Sequence, residues 1–232
     1  MALSTLSGWV SLDETDERDN EFSNLADQLK IDWVGTYCRN LHARHTRDNG
    51  SPLWGHLQAV SLAARKLVED FYQTASVSES RYWVKVAQAA ALLHESQLRC
   101  GTSFEDISGV GGPGDEAVAR VVGALTPDVR VPRPLRNERL ANSVGRGGPI
   151  AQIVKLLDLR HDAIMYTELH RQRAPMIREQ IFDFCMEALH VLDSLTEIQE
   201  HRWSQKVLDE MMARLTPLQD EYHCPKRRVR RP

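Results

Sequence analysis

The chain has 232 residues, of which 42% are hydrophobic and 26% charged, with a formal net charge of −3. That length fits one large domain, or one domain with extensions. The charge balance excludes whole-surface attraction to nucleic acid, and no apolar run is long enough to span a bilayer.

Residues 1–20 are polar and acidic, with Asp13-Glu-Thr-Asp-Glu17, and read as a flexible N-terminal arm. The first residues have no basic region followed by an apolar core, so no secretory leader is expected. A helical pattern runs over 22–45. Arg47-Asp-Asn-Gly50-Ser-Pro52-Leu53 carries the turn chemistry of a loop. From 56 to 73, Val60, Ala63, Ala64, Leu67, Val68 and Phe71 share one helical face. Another helix is predicted over 79–95. Gly109-Val-Gly-Gly-Pro-Gly114 is a connector: it lacks the Lys-Ser/Thr that a phosphate-binding loop needs. Asp115 is placed to cap a helix over 116–125, which ends at Thr126-Pro127. The Arg-, Pro- and Gly-rich segment 128–149 is read as loop with a short helix near 136–143. Helices follow over 150–168 and, as one or two pieces, over 175–213. Residues 215–232 end in Lys226-Arg-Arg-Val-Arg-Arg231, a basic tail read as solvated. Strand-like alternation is nearly absent, so the fold class is all-α.

Cys38, Cys100, Cys185 and Cys224 lie far apart with no Cys-x-x-Cys pair. This argues against zinc–thiolate chemistry and against a disulfide framework, and points to reduced thiols in a cytoplasmic protein.

Three polar residues sit where helical periodicity demands apolar ones. His94 continues the face of Trp83, Ala87, Ala90 and Ala91. His56 lies four residues before Val60 on the face of its own helix. Asp158 shares a face with Ile150, Val154, Leu157 and His161, with Asp162 one turn on. A buried carboxylate must be paired or bound to a cation. Either each group has a local partner, such as Lys155 or Arg160 for Asp158, or the set from three helices holds a metal such as Mn²⁺, Fe²⁺ or Zn²⁺.

In this order the motifs resemble the HD superfamily of metal-dependent phosphohydrolases, most of all the RelA/SpoT-type hydrolase domain and the small alarmone hydrolases. The similarity rests on His42-Ala-Arg-His-Thr-Arg47-Asp-Asn-Gly50-Ser-Pro52-Leu-Trp-Gly-His56, on Ala90-Ala-Leu-Leu-His94-Glu95, on Ser103-Phe-Glu-Asp-Ile107, on Leu125-Thr126, and on Val154-Lys-Leu-Leu-Asp158 with Asp162. It covers about residues 36–166. It implies an HD-type helical bundle over 21–214, with further helices over 170–213. It implies a divalent metal, Mn²⁺ with Fe²⁺ or Zn²⁺ as alternatives, held by His56, His94, Glu95 and Asp158. It implies a phosphorylated nucleotide of the guanosine 3′,5′-bispyrophosphate type as substrate, with Arg47 touching phosphate.

Three positions depart from the family pattern. Glu95 replaces an Asp. Leu98 and Arg99 stand where the alarmone hydrolases carry a Glu-Asp pair that serves the attacking water. Asp162 replaces an Asn. Glu95 and Asp162 are therefore the candidate catalytic carboxylates, and Arg99 joins Arg47 as a candidate phosphate contact. Two functions stay open: a metal-dependent phosphohydrolase, or an HD scaffold that binds a nucleotide or a protein without turnover. No membrane partner is expected. Nucleic acid would be met only through the basic tail, and self-association stays open.

Overall fold

The structure is a computed structural model that describes residues 12–109, 112–172, 178–195, 198 and 201–222. Among these residues there are eleven helices and no strand: α1 (Leu12–Gln28), α2 (Ile31–Leu41), α3 (Leu53–Phe71), α4 (Val77–Leu93), α5 (Ser96–Cys100), α6 (Phe104–Ser108), α7 (Glu116–Leu125), α8 (Arg133–Arg146), α9 (Gly148–Arg171), α10 (Arg178–Leu192) and α11 (Arg202–Glu221). The all-α expectation holds.

Two helices form the centre. α4 packs against α1, α2, α3, α7 and α9, and α9 packs against α3, α4, α7, α8, α10 and α11. Every residue from 150 to 159 is buried. A helix buried on all sides has no solvent face on which to put its polar residues. Gln152, Lys155 and Asp158 must therefore find partners inside, and Gln152 Nε2 donates to the Gly145 carbonyl at 3.2 Å.

The structure corrects several boundaries. The helix expected over 22–45 is two helices. Lys85 Nζ donates to the Ala26 carbonyl at 2.5 Å and the Leu29 carbonyl at 3.2 Å. A cation from α4 thus closes the end of α1, a break that local composition does not announce. The acidic segment 13–17 lies within α1 and not in an arm. Phe22 anchors the helix against Tyr82, with ring centroids 5.6 Å apart. α8 is longer than the 136–143 expected, because Pro134 falls in its first turn, where no intrahelical N–H is needed. The segment from 215, expected as tail, is helical through Glu221, and Leu215 and Leu218 are buried within α11. The basic run 226–231 lies outside the described residues.

The expected cap of α7 is present. Asp115 Oδ1 accepts from the Val118 N–H at 2.9 Å, and Oδ2 accepts from the Tyr82 hydroxyl, also at 2.9 Å. Asp115→Ala removes the cap and strands the hydroxyl, and should cost about 1–2 kcal/mol. Urea denaturation measures it. A midpoint unchanged from wild type would show that solvent replaces both bonds.

Candidate metal centre

His56 stands in the first turn of α3, His94 at the C-terminal cap of α4, and Asp158 in the buried stretch of α9. The packing of α3, α4 and α9 brings the three together. Asp158 Oδ1 lies 3.1 Å from His56 Nε2 and 3.3 Å from His94 Nε2, and the two imidazole nitrogens are 3.4 Å apart. All three residues are buried.

The triangle has the size of a coordination face. Donors about 2.1 Å from a shared cation lie about 3.0 Å apart at right angles and about 3.4 Å apart at tetrahedral angles. Two imidazoles and a carboxylate are a donor set for Mn²⁺, Fe²⁺ or Zn²⁺. The residues present fit a divalent metal.

The surrounding bonds orient the donors. His94 Nδ1–H donates to the Ala91 carbonyl at 2.8 Å, which turns Nε2 inward. His56 Nδ1 lies 2.9 Å from His161 Nδ1. Burial holds His161 down at about 4, so it stays neutral, and one of the two facing nitrogens donates to the other. With His56 Nδ1–H as the donor, its Nε2 would be left to take a cation beside Asp158. Burial likewise holds His56 below its ordinary value.

Asp158 divides its two oxygens. Oδ2 accepts from Lys155 Nζ at 2.8 Å, and Lys155 also reaches Glu187 Oε1 on α10 at 2.5 Å. The local partner and the shared centre are thus both present, one on each oxygen. The trio Asp158, Lys155 and Glu187 carries a net negative charge, so Lys155 does not cancel the pull on a cation. Burial opposes the charge on Asp158, but Lys155 and His94 hold its carboxyl well below the usual range. Burial also opposes a charge on His94, yet Asp158 carries that imidazole up to about 9. A cation at Nε2 would take the place of that proton.

Glu95 borders the centre without joining it. Its Oε1 lies 3.9 Å from His94 Nε2, while Oε2 accepts from Arg99 Nε at 2.6 Å. The longer side chain reaches along α5 to a guanidinium four residues on. Arg99 is correspondingly committed to Glu95, and Leu98 is exposed beside it. Arg47 is nearly buried and pairs with Asp162 on α9. Burial and the Asp158 charge push Asp162 up, and the Arg47 guanidinium pulls it back. The loop carrying Arg47 is pinned again by the Tyr166 hydroxyl, which donates to Asp48 Oδ2 at 2.6 Å. It turns at Gly50, whose φ of 77° is the left-handed region glycine favours.

The sequence placed His56, His94 and Asp158 together; it did not foresee the pairing of Arg47 with Asp162. It did not find His161 or Glu187 as supports of the ligands. His161 carried a signal, since it lies three residues from Asp158 on the same face. Glu187 carried none, because it comes from α10.

No protein-family model matches the chain, and no curated protein matches it in sequence. A solved structure does resemble it: a metazoan ortholog of SpoT, which hydrolyses ppGpp and plays a role in starvation responses. The two share 20% sequence identity with a TM-score of 0.55, over 79% of this chain and 93% of that one. The likeness is one of fold, and the fold is the HD-type helical bundle. No helix among the described residues is long and apolar enough to cross a membrane.

Proposed function

We propose that this protein is a metal-dependent phosphohydrolase acting on a phosphorylated nucleotide. The observation that carries the reading is the buried triangle of His56 Nε2, His94 Nε2 and Asp158 Oδ1, with sides of 3.1, 3.3 and 3.4 Å. Its position on a fold shared with a ppGpp hydrolase supports it. A divalent cation bound there, Mn²⁺ by preference, would supply Lewis-acid activation of water for attack on phosphorus. Asp162, one turn beyond Asp158, is our candidate to take the proton of the attacking water. Arg47 spends one of its five N–H groups on Asp162. Its guanidinium is the candidate contact for phosphate oxygens. Glu95 positions Arg99 and stands beside His94 as a negative charge. Cys38, Cys100 and Cys185 form no disulfide among the described residues, which suits a reducing cytoplasm.

One observation favours a second reading, a binding module without turnover. Arg99 neutralises Glu95, and Leu98 and Arg99 offer no carboxylate where the alarmone hydrolases have two. Losing a positioned general base costs about 10²–10⁴-fold in rate. Weak or absent ppGpp hydrolysis is therefore expected, with either another phosphorylated nucleotide turned over or binding alone.

The test is phosphate and pyrophosphate release from a nucleotide panel that includes ppGpp, with Mn²⁺ present. Release from at least one nucleotide, abolished by His94→Ala, supports the enzyme. Nucleotide binding without release from any of them establishes the second reading. Leu98→Glu combined with Arg99→Asp should raise ppGpp hydrolysis. Brisk wild-type ppGpp turnover that falls in this double variant would mean that Asp162 or Glu95 already supplies the base.

A further inference from the structure

A second group of donor atoms converges away from the His56–His94–Asp158 triangle. The Nδ1 atoms of His42 and His45 are 2.9 Å apart, and Cys100 Sγ lies 3.8 Å from the first and 4.0 Å from the second. All three donors fall within 4.8 Å of one another. Hydrogen bonding is a poor account of the cluster. The facing nitrogens can share one proton, and the thiol stands off at long range, with its other neighbour, the Leu41 carbonyl, also 4.0 Å away.

The backbone holds these donors in place. His42 caps α2, its N–H donating to the Cys38 carbonyl at 2.9 Å. The His45 N–H donates to the His42 carbonyl at 3.0 Å, and the His45 carbonyl accepts from the Leu53 N–H at 2.9 Å. Cys100 ends α5, where Gly101 turns the chain away at a φ of 69°.

We infer that His42, His45 and Cys100 form a second cation site, for a divalent ion of the borderline-soft class that accepts both thiolate and imidazole, Zn²⁺ foremost. In a tetrahedral zinc site, imidazole donors lie about 3.3 Å apart and sulfur about 3.6 Å from each nitrogen, given bonds of about 2.05 and 2.3 Å. The observed spacings need shifts of a few tenths of an ångström to about half an ångström. Binding replaces the thiol proton, which leaves to solvent as the sulfur–metal bond forms. Three protein ligands leave a fourth position for water or an added ligand. The ion would tie the end of α2 to α5. It would thereby hold the loop carrying Arg47 against the helix carrying Arg99. This inference is independent of the function proposed above.

Cobalt separates the two centres, because only this one contains sulfur. The full chain is stripped with chelator and titrated with Co²⁺. Two ions per chain are expected, with a near-ultraviolet thiolate-to-cobalt charge-transfer band. Cys100→Ser, at the edge of the core, should lose that band and one ion. His45→Ala should weaken the band's titration by at least about 10-fold. Asp158→Ala should lose the other ion and keep the band. A wild-type protein of native helicity that shows no charge-transfer band would overturn the inference. So would a band that survives Cys100→Ser unchanged.

Discussion

Asp158→Ala will abolish binding of the ion held by His56 and His94. The substitution removes the carboxylate oxygen that closes the triangle, 3.1 and 3.3 Å from the two imidazoles. Two neutral imidazoles without an anion are a poor match for a hard or borderline dication. Glu95 does not replace the loss while Arg99 holds it. Calorimetry with Mn²⁺ and elemental analysis should show that ion gone, and phosphohydrolase turnover should fall to background. The fold should survive, at a cost of about 1–3 kcal/mol, because Lys155 keeps Glu187 at 2.5 Å. Asp158→Asn preserves the shape and isolates the charge. Undiminished Mn²⁺ binding by the alanine variant would mean that the triangle is not the metal centre.

Lys155→Met will strongly destabilise the metal-free protein. It leaves Asp158 buried with no cation on Oδ2, and removing one partner of a buried pair costs about 3–5 kcal/mol. Glu187 contributes less, since its carboxylate is 30% exposed and regains water. The sign with pH follows from Asp158, whose folded value lies well below the ordinary one. Its contribution is fully present above the unfolded pKa of about 3.9 and is lost as pH falls through the folded value. The full penalty therefore shows at neutral pH and shrinks in acid. Chemical denaturation of chelator-treated protein at neutral pH and at about pH 2, below the unfolded value, reads it. Added Mn²⁺ should restore part of the loss, by giving Asp158 a cation again. A variant as stable as wild type at neutral pH would show that Lys155 only fills space.

Much of this molecule is legible in one dimension. Alternation is absent and apolar residues recur at helical spacing, so the all-α class follows. Asp115 before an apolar-periodic run is a cap by local chemistry alone. His56, His94 and Asp158 stand out because each interrupts an apolar face, and a face is a property of one helix. The boundaries of α1 and α8 were less legible. The α1–α2 break depends on Lys85 from α4, and the start of α8 on a proline that composition reads as a breaker.

Which atoms meet was decided by the packing of helices far apart in the chain. Periodicity says that Asp158 points inward; only the placement of α3 and α4 gives Oδ1 to two imidazoles and leaves Oδ2 to Lys155. The His94-Glu95 doublet suggests two adjacent ligands. The start of α5 instead turns Glu95 onto Arg99, because a side chain one methylene longer finds a guanidinium within 2.6 Å. The cysteines looked inert along the sequence, for none has a neighbour two or three residues away. Folding nevertheless sets Cys100 within 4.0 Å of two imidazoles more than fifty residues earlier. Sequence determines what each helix face carries, through short-range geometry; what that face meets is long-range, and belongs to the tertiary structure alone.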